Sequence, residues 1–284
     1  MPWRACVRSR TGDATSRIQL TRRLAFANAS IAMTSMFAAA GAPAPLYSIY
    51  QERLGVSAAG ITGSYAAYIV SAALAMLCGG RLSDHVGRRP VVVGSLLIGI
   101  AGCLVLMQLD GSEDLVIGRI LQGMVVGTAM SGMGAYVVDL RRPGTTFLAS
   151  LVASASPTLG VGVGAVISGL LVDHAPAPRV LVYLIAVGVQ ATCLVGVLLS
   201  RETVALPAGR PDRIAAIGSL RPRLAVPVRK RAIFIGVIGA FVASWTLGGL
   251  YQSLGPSFAT ELLHREDHLY AGLVVASVLA MTTL

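Results

Sequence analysis

Charge is scarce in this chain of 284 residues: only 13% of its positions are Asp, Glu, Lys or Arg, about half the share of an ordinary soluble domain. Thirteen acids and 23 bases are too few to give a globule of this length a water-facing surface, which excludes a soluble enzyme. Lysine is almost missing, with Lys230 the one example among arginines. Cys6, Cys78, Cys103 and Cys193 show no metal-ligand spacing, and three of them sit in apolar runs. They read as structural thiols rather than a disulfide framework, and no metal site is expected. No glycine loop followed by Lys-Ser/Thr is present, so ATP-driven chemistry has no support. No nucleophile–base pair stands out either, and no cofactor is expected. The formal charge of +10 is spread along the chain rather than gathered in one patch, which argues against a nucleic-acid partner.

Apolar residues, by contrast, make up 55% of the chain, and its mean hydropathy is +0.72. They gather into runs near 24–48, 60–80, 90–109, 114–138, 147–171, 179–199, 232–255 and 269–284. A run of about 20 apolar residues crosses a bilayer as a helix, whereas a membrane barrel needs short alternating strands. The 32 glycines and 13 prolines lie largely within these runs, where membrane helices tolerate them. The fold class is therefore an all-α integral membrane protein. No Asp, Glu or His falls near the middle of any run, so a proton relay cannot be assigned to a visible carboxylate.

The arginines set the topology. With residues 1–23 on the inside and sides alternating, the inner segments 1–23, 81–89, 139–144 and 200–231 hold 19 of the 23 bases. Basic loops stay in the cytoplasm, which places the N-terminus on the cytoplasmic side of the cell membrane. Thr21-Arg22-Arg23-Leu24-Ala25-Phe26 loosely resembles a twin-arginine export signal, but the apolar run continues past Ala38-Ala39-Ala40. The chain thus divides into a basic N-terminus (1–23), a six-helix transmembrane half (24–199), a basic linker (200–231) and spans seven and part of eight (232–284).

Three segments carry chemistry. Gly80-Arg81-Leu82-Ser83-Asp84-His85-Val86-Gly87-Arg88-Arg89-Pro90 joins spans two and three. Its residues 81–89 are expected to leave one helix, turn and enter the next, with Gly80 and Gly87 supplying permissive backbone. Asp84 is an acid in a basic turn and needs a partner. In span four, Gly118-Arg119-Ile120-Leu121-Gln122-Gly123 puts Arg119 and Gln122 on one helical face. An intramembrane arginine is costly unless paired or hydrated; Arg119 is expected to face a water-filled centre, or else to snorkel to the headgroups. Gly123, Gly127 and Ser131 make a small-residue stripe, as do Gly160, Gly164 and Ser168 with Gly169 in span five. In span seven, Trp245, Tyr251, Gln252 and Ser253 are candidate cavity-lining groups; the aromatic ones serve equally as interfacial anchors.

The first two segments resemble the loop and fourth-helix signatures of the major facilitator superfamily of secondary transporters, G-x-L-[AS]-D-[RH]-x-G-[RK]-[RK] and G-R-x-L-Q-G. Span five is similar to that family's antiporter motif, with Ala165 in place of a proline and Ser168 in place of a glycine. The resemblance implies a helical bundle of two six-helix halves with a small-molecule solute held between them. It further implies a cytoplasmic gate built from Gly80, Asp84, Gly87, Arg88, Arg89 and Asp139, in which Asp84, Arg88 and Asp139 form a charge network that breaks as the halves rock. Arg119 and Gln122, with Tyr251 and Gln252, then belong to the substrate and coupling cavity, and Gly123, Gly127, Gly160, Gly164 and Gly169 to helix packing. The expected function is secondary active transport of a small solute by alternating access, in the direction of efflux, with protons as the coupling ion and the lipid bilayer as surroundings. Because Leu284 falls inside the eighth run, the chain is expected to be a piece of a longer protein. The alternative is a membrane scaffold or sensor, or a remnant, that binds without translocating.

Overall fold

The structure is a computed structural model that describes residues 19–141 and 144–204, with isolated positions between 231 and 277; at 80, 81 and 84 it describes the backbone alone. Tyr251 and Gln252, most of spans seven and eight, and nearly all of the 200–231 linker lie outside the described residues.

Regular structure among the described residues is helical throughout. α1 (Arg22–Gly41) passes through a 3-10 turn (Ala44–Leu46) carrying Pro45 into α2 (Tyr47–Leu54). Gly55 ends α2 in the left-handed region at φ 64°, and Ser57 caps α3 (Ala58–Val86) by accepting the N–H of Gly60 at 3.1 Å. α4 (Arg88–Met107) follows after a single residue. α5 (Ser112–Thr128) opens with Glu113 and Asp114, which suit the positive end of the helix dipole. A five-residue π-helix (Ala129–Met133) connects it to α6 (Gly134–Leu140). α7 (Thr146–His174) runs through Pro157, and α8 (Pro178–Leu198) starts on a proline.

Six stretches are long and apolar enough to cross a membrane: Arg22–Leu54, Ala58–Gly79, Arg88–Met107, Ser112–Leu140, Thr146–His174 and Pro178–Leu198. They coincide with the first six apolar runs of the sequence. Leu74, Leu97 and Leu184 point outward and are more than half exposed, as lipid-facing side chains are. This is a multi-pass membrane protein.

The turn expected over 81–89 is much shorter in the structure. Residues 81–86 contain neither glycine nor proline, and they prolong α3 to Val86. Gly80 sits inside that helix with no special conformation to supply. The whole reversal falls on Gly87, at φ +102°, a torsion that side chains other than hydrogen strain against. A β-carbon there would also lie 2.8 Å from a Glu202 carboxylate oxygen.

Close packing fixes the bundle. α5 lies along α3, α1 along α7, and α4 between α5 and α8. β-Carbons at Gly123 and Gly127 would overlap the backbone carbonyls of Tyr68 and Ala72 in α3. One at Gly160 would sit 2.5 Å from the Phe37 β-carbon, and one at Gly164 would overlap the Ala38 carbonyl, both in α1. Gly169 is buried on α7. Without a hydrophobic drive between helices in lipid, such backbone approach is what supplies dispersion energy.

Candidate functional site

Polar side chains inside this bundle are few, and two groups of them are organised. The first surrounds Arg119, which is 1% exposed. Gly123 and Gly127 let α5 sit against α3, and this brings Arg119, one turn earlier, beside Tyr65 and Tyr68. The Arg119 guanidinium carbon lies 5.0 Å from the ring centre of Tyr68, 5.5 Å from that of Tyr65 and 5.6 Å from that of Tyr47. All three are within cation–π range. Nη1 donates to the Ala40 carbonyl at 2.9 Å and to Gln122 Oε1 at 3.0 Å, and Nη2 donates to the Tyr47 hydroxyl. Gln122 Nε2 in turn donates to the Ala39 carbonyl at 2.7 Å. Those carbonyls are available because α1 ends at Gly41, leaving its last acceptors without helical partners.

The guanidinium is enclosed rather than water-facing. Its solvation comes from one backbone carbonyl, an amide, a phenol and aromatic faces, and among the described residues no carboxylate pairs with it. Nε is buried without a partner.

The second group lies at the other end of the bundle. Arg88, at the start of α4, forms an ion pair with Asp139 of α6 and donates through Nη1 to the Ala135 carbonyl at 2.8 Å. Arg89 donates through Nε to the Val197 carbonyl at 3.1 Å and through Nη2 to the Leu198 carbonyl, at the negative end of α8. The N-terminus of α4 is capped by a residue from far along the chain. Glu202 accepts the backbone N–H groups of Arg88 at 3.0 Å and Arg89 at 3.1 Å, the pairing of carboxylate with helix N-terminus that electrostatics favours. Gly87, Arg88, Arg89 and Asp139 therefore form one assembly tying α4 to α6 and to the end of α8. Asp84 stands on the last turn of α3, with its side chain outside what the structure describes.

Two cavities border these groups. One, of about 520 Å³, lies among α1, α7 and α8; its wall is apolar apart from Ser30, Thr34, Ser35 and Ser156, and Thr34 donates to Ser156 Oγ at 3.2 Å. The other, of about 970 Å³, is polar and lies beside Asp139 and Glu202. Arg119 and Gln122 are not wall residues of either.

Sequence reasoning missed Tyr47, Tyr65, Tyr68 and Glu202. The i, i+3 spacing of Tyr65 and Tyr68 puts them on one face of span two, and Glu202 is an acid set among arginines just past span six. It also missed Gln190 on α8, which is 0% exposed with both amide atoms unpartnered, wedged where Gly99 of α4 leaves room.

The sequence pattern of the Major Facilitator Superfamily matches residues 29–284. The chain is 28% identical over 193 residues to the methylenomycin A resistance protein of Bacillus subtilis (strain 168), covering 66% of this chain and 39% of that protein. It is 34% identical over 77 residues to the multidrug resistance protein MdtL of Klebsiella pneumoniae subsp. pneumoniae, covering 27% of this chain and 20% of that one. The chain thus spans well under half the length of either relative. In three dimensions it is similar to the crystal structure of the human organic anion transporter MFSD10, with a TM-score of 0.58 at 17% identity over 92% of this chain and 72% of that one, a likeness of fold.

Proposed function

The chain belongs to the major facilitator superfamily, and from that premise we propose that it takes part in carrying a small solute across the cell membrane by alternating access. The direction in this reading is export, which the resistance proteins among its relatives favour, and the coupling ion is the proton. The N-terminus lies in the cytoplasm, as the arginine distribution argues.

The observation that carries the proposal is Arg119. A cation inside the bilayer costs several kcal/mol even when partly hydrated, yet this one is kept without a described carboxylate and within a cage of three tyrosines. Such a group is poised to receive an anionic or hydrogen-bond-accepting part of a solute by exchanging its bond to the Tyr47 hydroxyl. Gln122 presents its oxygen to Arg119 and its nitrogen to Ala39, which holds the guanidinium in place. Tyr251 and Gln252 of span seven complete the proposed cavity from the opposite half.

Arg88 and Asp139, with Asp84, serve as the cytoplasmic gate. The Arg88 and Asp139 side chains are 20% and 31% exposed. Water can reach both partners, so the pair can open without stranding a fully buried charge.

The test uses the native full-length protein in proteoliposomes with an imposed pH gradient, and two probes of opposite charge, ethidium and carboxyfluorescein. The expected result is accumulation of at least one probe that stops when the gradient is collapsed and is lost in Arg119→Ala at equal membrane level. Full transport by Arg119→Ala would overturn its site role. Movement indifferent to the pH gradient would overturn the coupling, and failure to move either probe or a panel of antibiotics would overturn transport.

A further inference from the structure

The polar cavity of about 970 Å³ is walled by the start of α1 (Thr21, Arg22), the end of α6 (Asp139, Arg141), the start of α7 (Thr146) and the segment after α8 (Arg201, Glu202). Among the described residues three cations and two carboxylates share it, and both carboxylates are already engaged, chiefly by groups outside the wall. Asp139 is paired with Arg88, which is not part of the wall. Glu202 accepts four backbone N–H groups, those of Arg88, Arg89, Thr203 at 2.9 Å and Val204 at 3.3 Å. The arginines keep most of their five donors each. Arg141 uses Nη1 on the Val138 carbonyl and Arg201 uses Nε on Gln19. Arg22 makes no side-chain hydrogen bond or ion pair among the described residues.

Two helix N-termini add to this. The first helical bond of α1 is from Ala25 to the Thr21 carbonyl, and no side chain caps that end. The first of α7 runs from Ala149 to the Thr145 carbonyl. The amides before each are donors at the positive end of a dipole. A cavity of this size, with three arginines and the first residues of two helices in its described wall, is complementary to a compact anion with several oxygens, for which arginine forks are matched.

We propose that this cavity binds a phosphate group, supplied by the headgroup of an anionic phospholipid in the adjoining leaflet. The site is distinct from the solute site, since Arg119 lies twenty residues from Asp139 along the same span, about 30 Å of helix. The bound headgroup ties the starts of α1 and α7 to the segment after α8, next to the gate pair. The inference rests on the membrane placement proposed above; its readout is lipid binding, so it stands or falls separately from transport.

The experiment measures binding of dioctanoyl phosphatidylglycerol, dioctanoyl phosphatidylcholine and inorganic phosphate to the native full-length protein in a neutral detergent by calorimetry. Phosphatidylglycerol is expected to bind at least ten times more tightly than phosphatidylcholine and to be displaced by inorganic phosphate only at millimolar concentration. Its affinity should fall at least tenfold in Arg22→Gln/Arg201→Gln and stay within twofold in Arg53→Gln, at the opposite end of the bundle. The Arg22→Lys/Arg201→Lys protein, which keeps the charge, should lose less than the glutamine pair and shows that a loss is not misfolding. Equal affinity for phosphatidylglycerol in the native and glutamine proteins would overturn the site. Binding of inorganic phosphate as tight as that of the lipid would overturn the lipid source.

Discussion

Two arginines in this bundle are solvated in contrasting ways. Arg119 is 1% exposed and is met by two side chains, one carbonyl and three aromatic faces, while Arg88 is partly exposed and meets a carboxylate and a carbonyl. The partners of Arg119 come from α1, α2, α3 and α5, held at fixed distance by close helix packing. Those of Arg88 both come from α6. In the proposed reading, the enclosed cation with neutral partners receives the solute, and the partly exposed ion pair is the joint that opens as the protein changes conformation.

Removing the enclosed charge is the harshest way to break that comparison. Arg119→Leu should lower probe transport at least ~100-fold, equivalent to about 3 kcal/mol, with membrane level unchanged on immunoblots. Arg119→Lys should recover only part of this, because an ammonium cannot bond Ala40, Gln122 and Tyr47 with the geometry of the fork. At the other arginine, Asp139→Asn should slow transport roughly tenfold, the scale of about 1.4 kcal/mol. The exchange Arg88→Asp/Asp139→Arg should restore more activity than either single change, measured as initial rates.

Smaller changes sharpen the picture of the box. Tyr47→Phe removes the hydroxyl that Nη2 bonds and leaves a buried donor unmatched, at about 1–3 kcal/mol. Tyr68→Phe keeps the aromatic face and should change transport less than twofold. Weakest of all should be Gln190→Leu, outside both groups. Its amide is buried without partners, so thermal unfolding in detergent should show no loss, or a gain of up to about 1 kcal/mol.

The first six spans were legible because lipid demands long unbroken apolar runs, and the structure's helices coincide with them. The i, i+3 relation of Arg119 and Gln122 could be read from spacing alone, since it is a property of one helix. What surrounds them could not. Tyr65 and Tyr68 reach Arg119 because glycines at 123 and 127 let α5 touch α3, and Tyr47 reaches it from α2, both tertiary facts. Composition misleads at 81–89, because a basic, polar stretch after an apolar run reads as a loop, yet six of its residues continue α3. Glu202 stayed hidden among the arginines that follow span six, since the two amides it caps on α4 lie more than a hundred residues earlier.

The most direct test of the division of labour is to measure probe binding and probe transport side by side on Arg119→Lys and Asp139→Asn, using the full-length protein. The account predicts that Asp139→Asn binds within twofold of the native protein while its transport rate falls, and that Arg119→Lys loses binding and transport together. Equal loss of binding in both variants would contradict it.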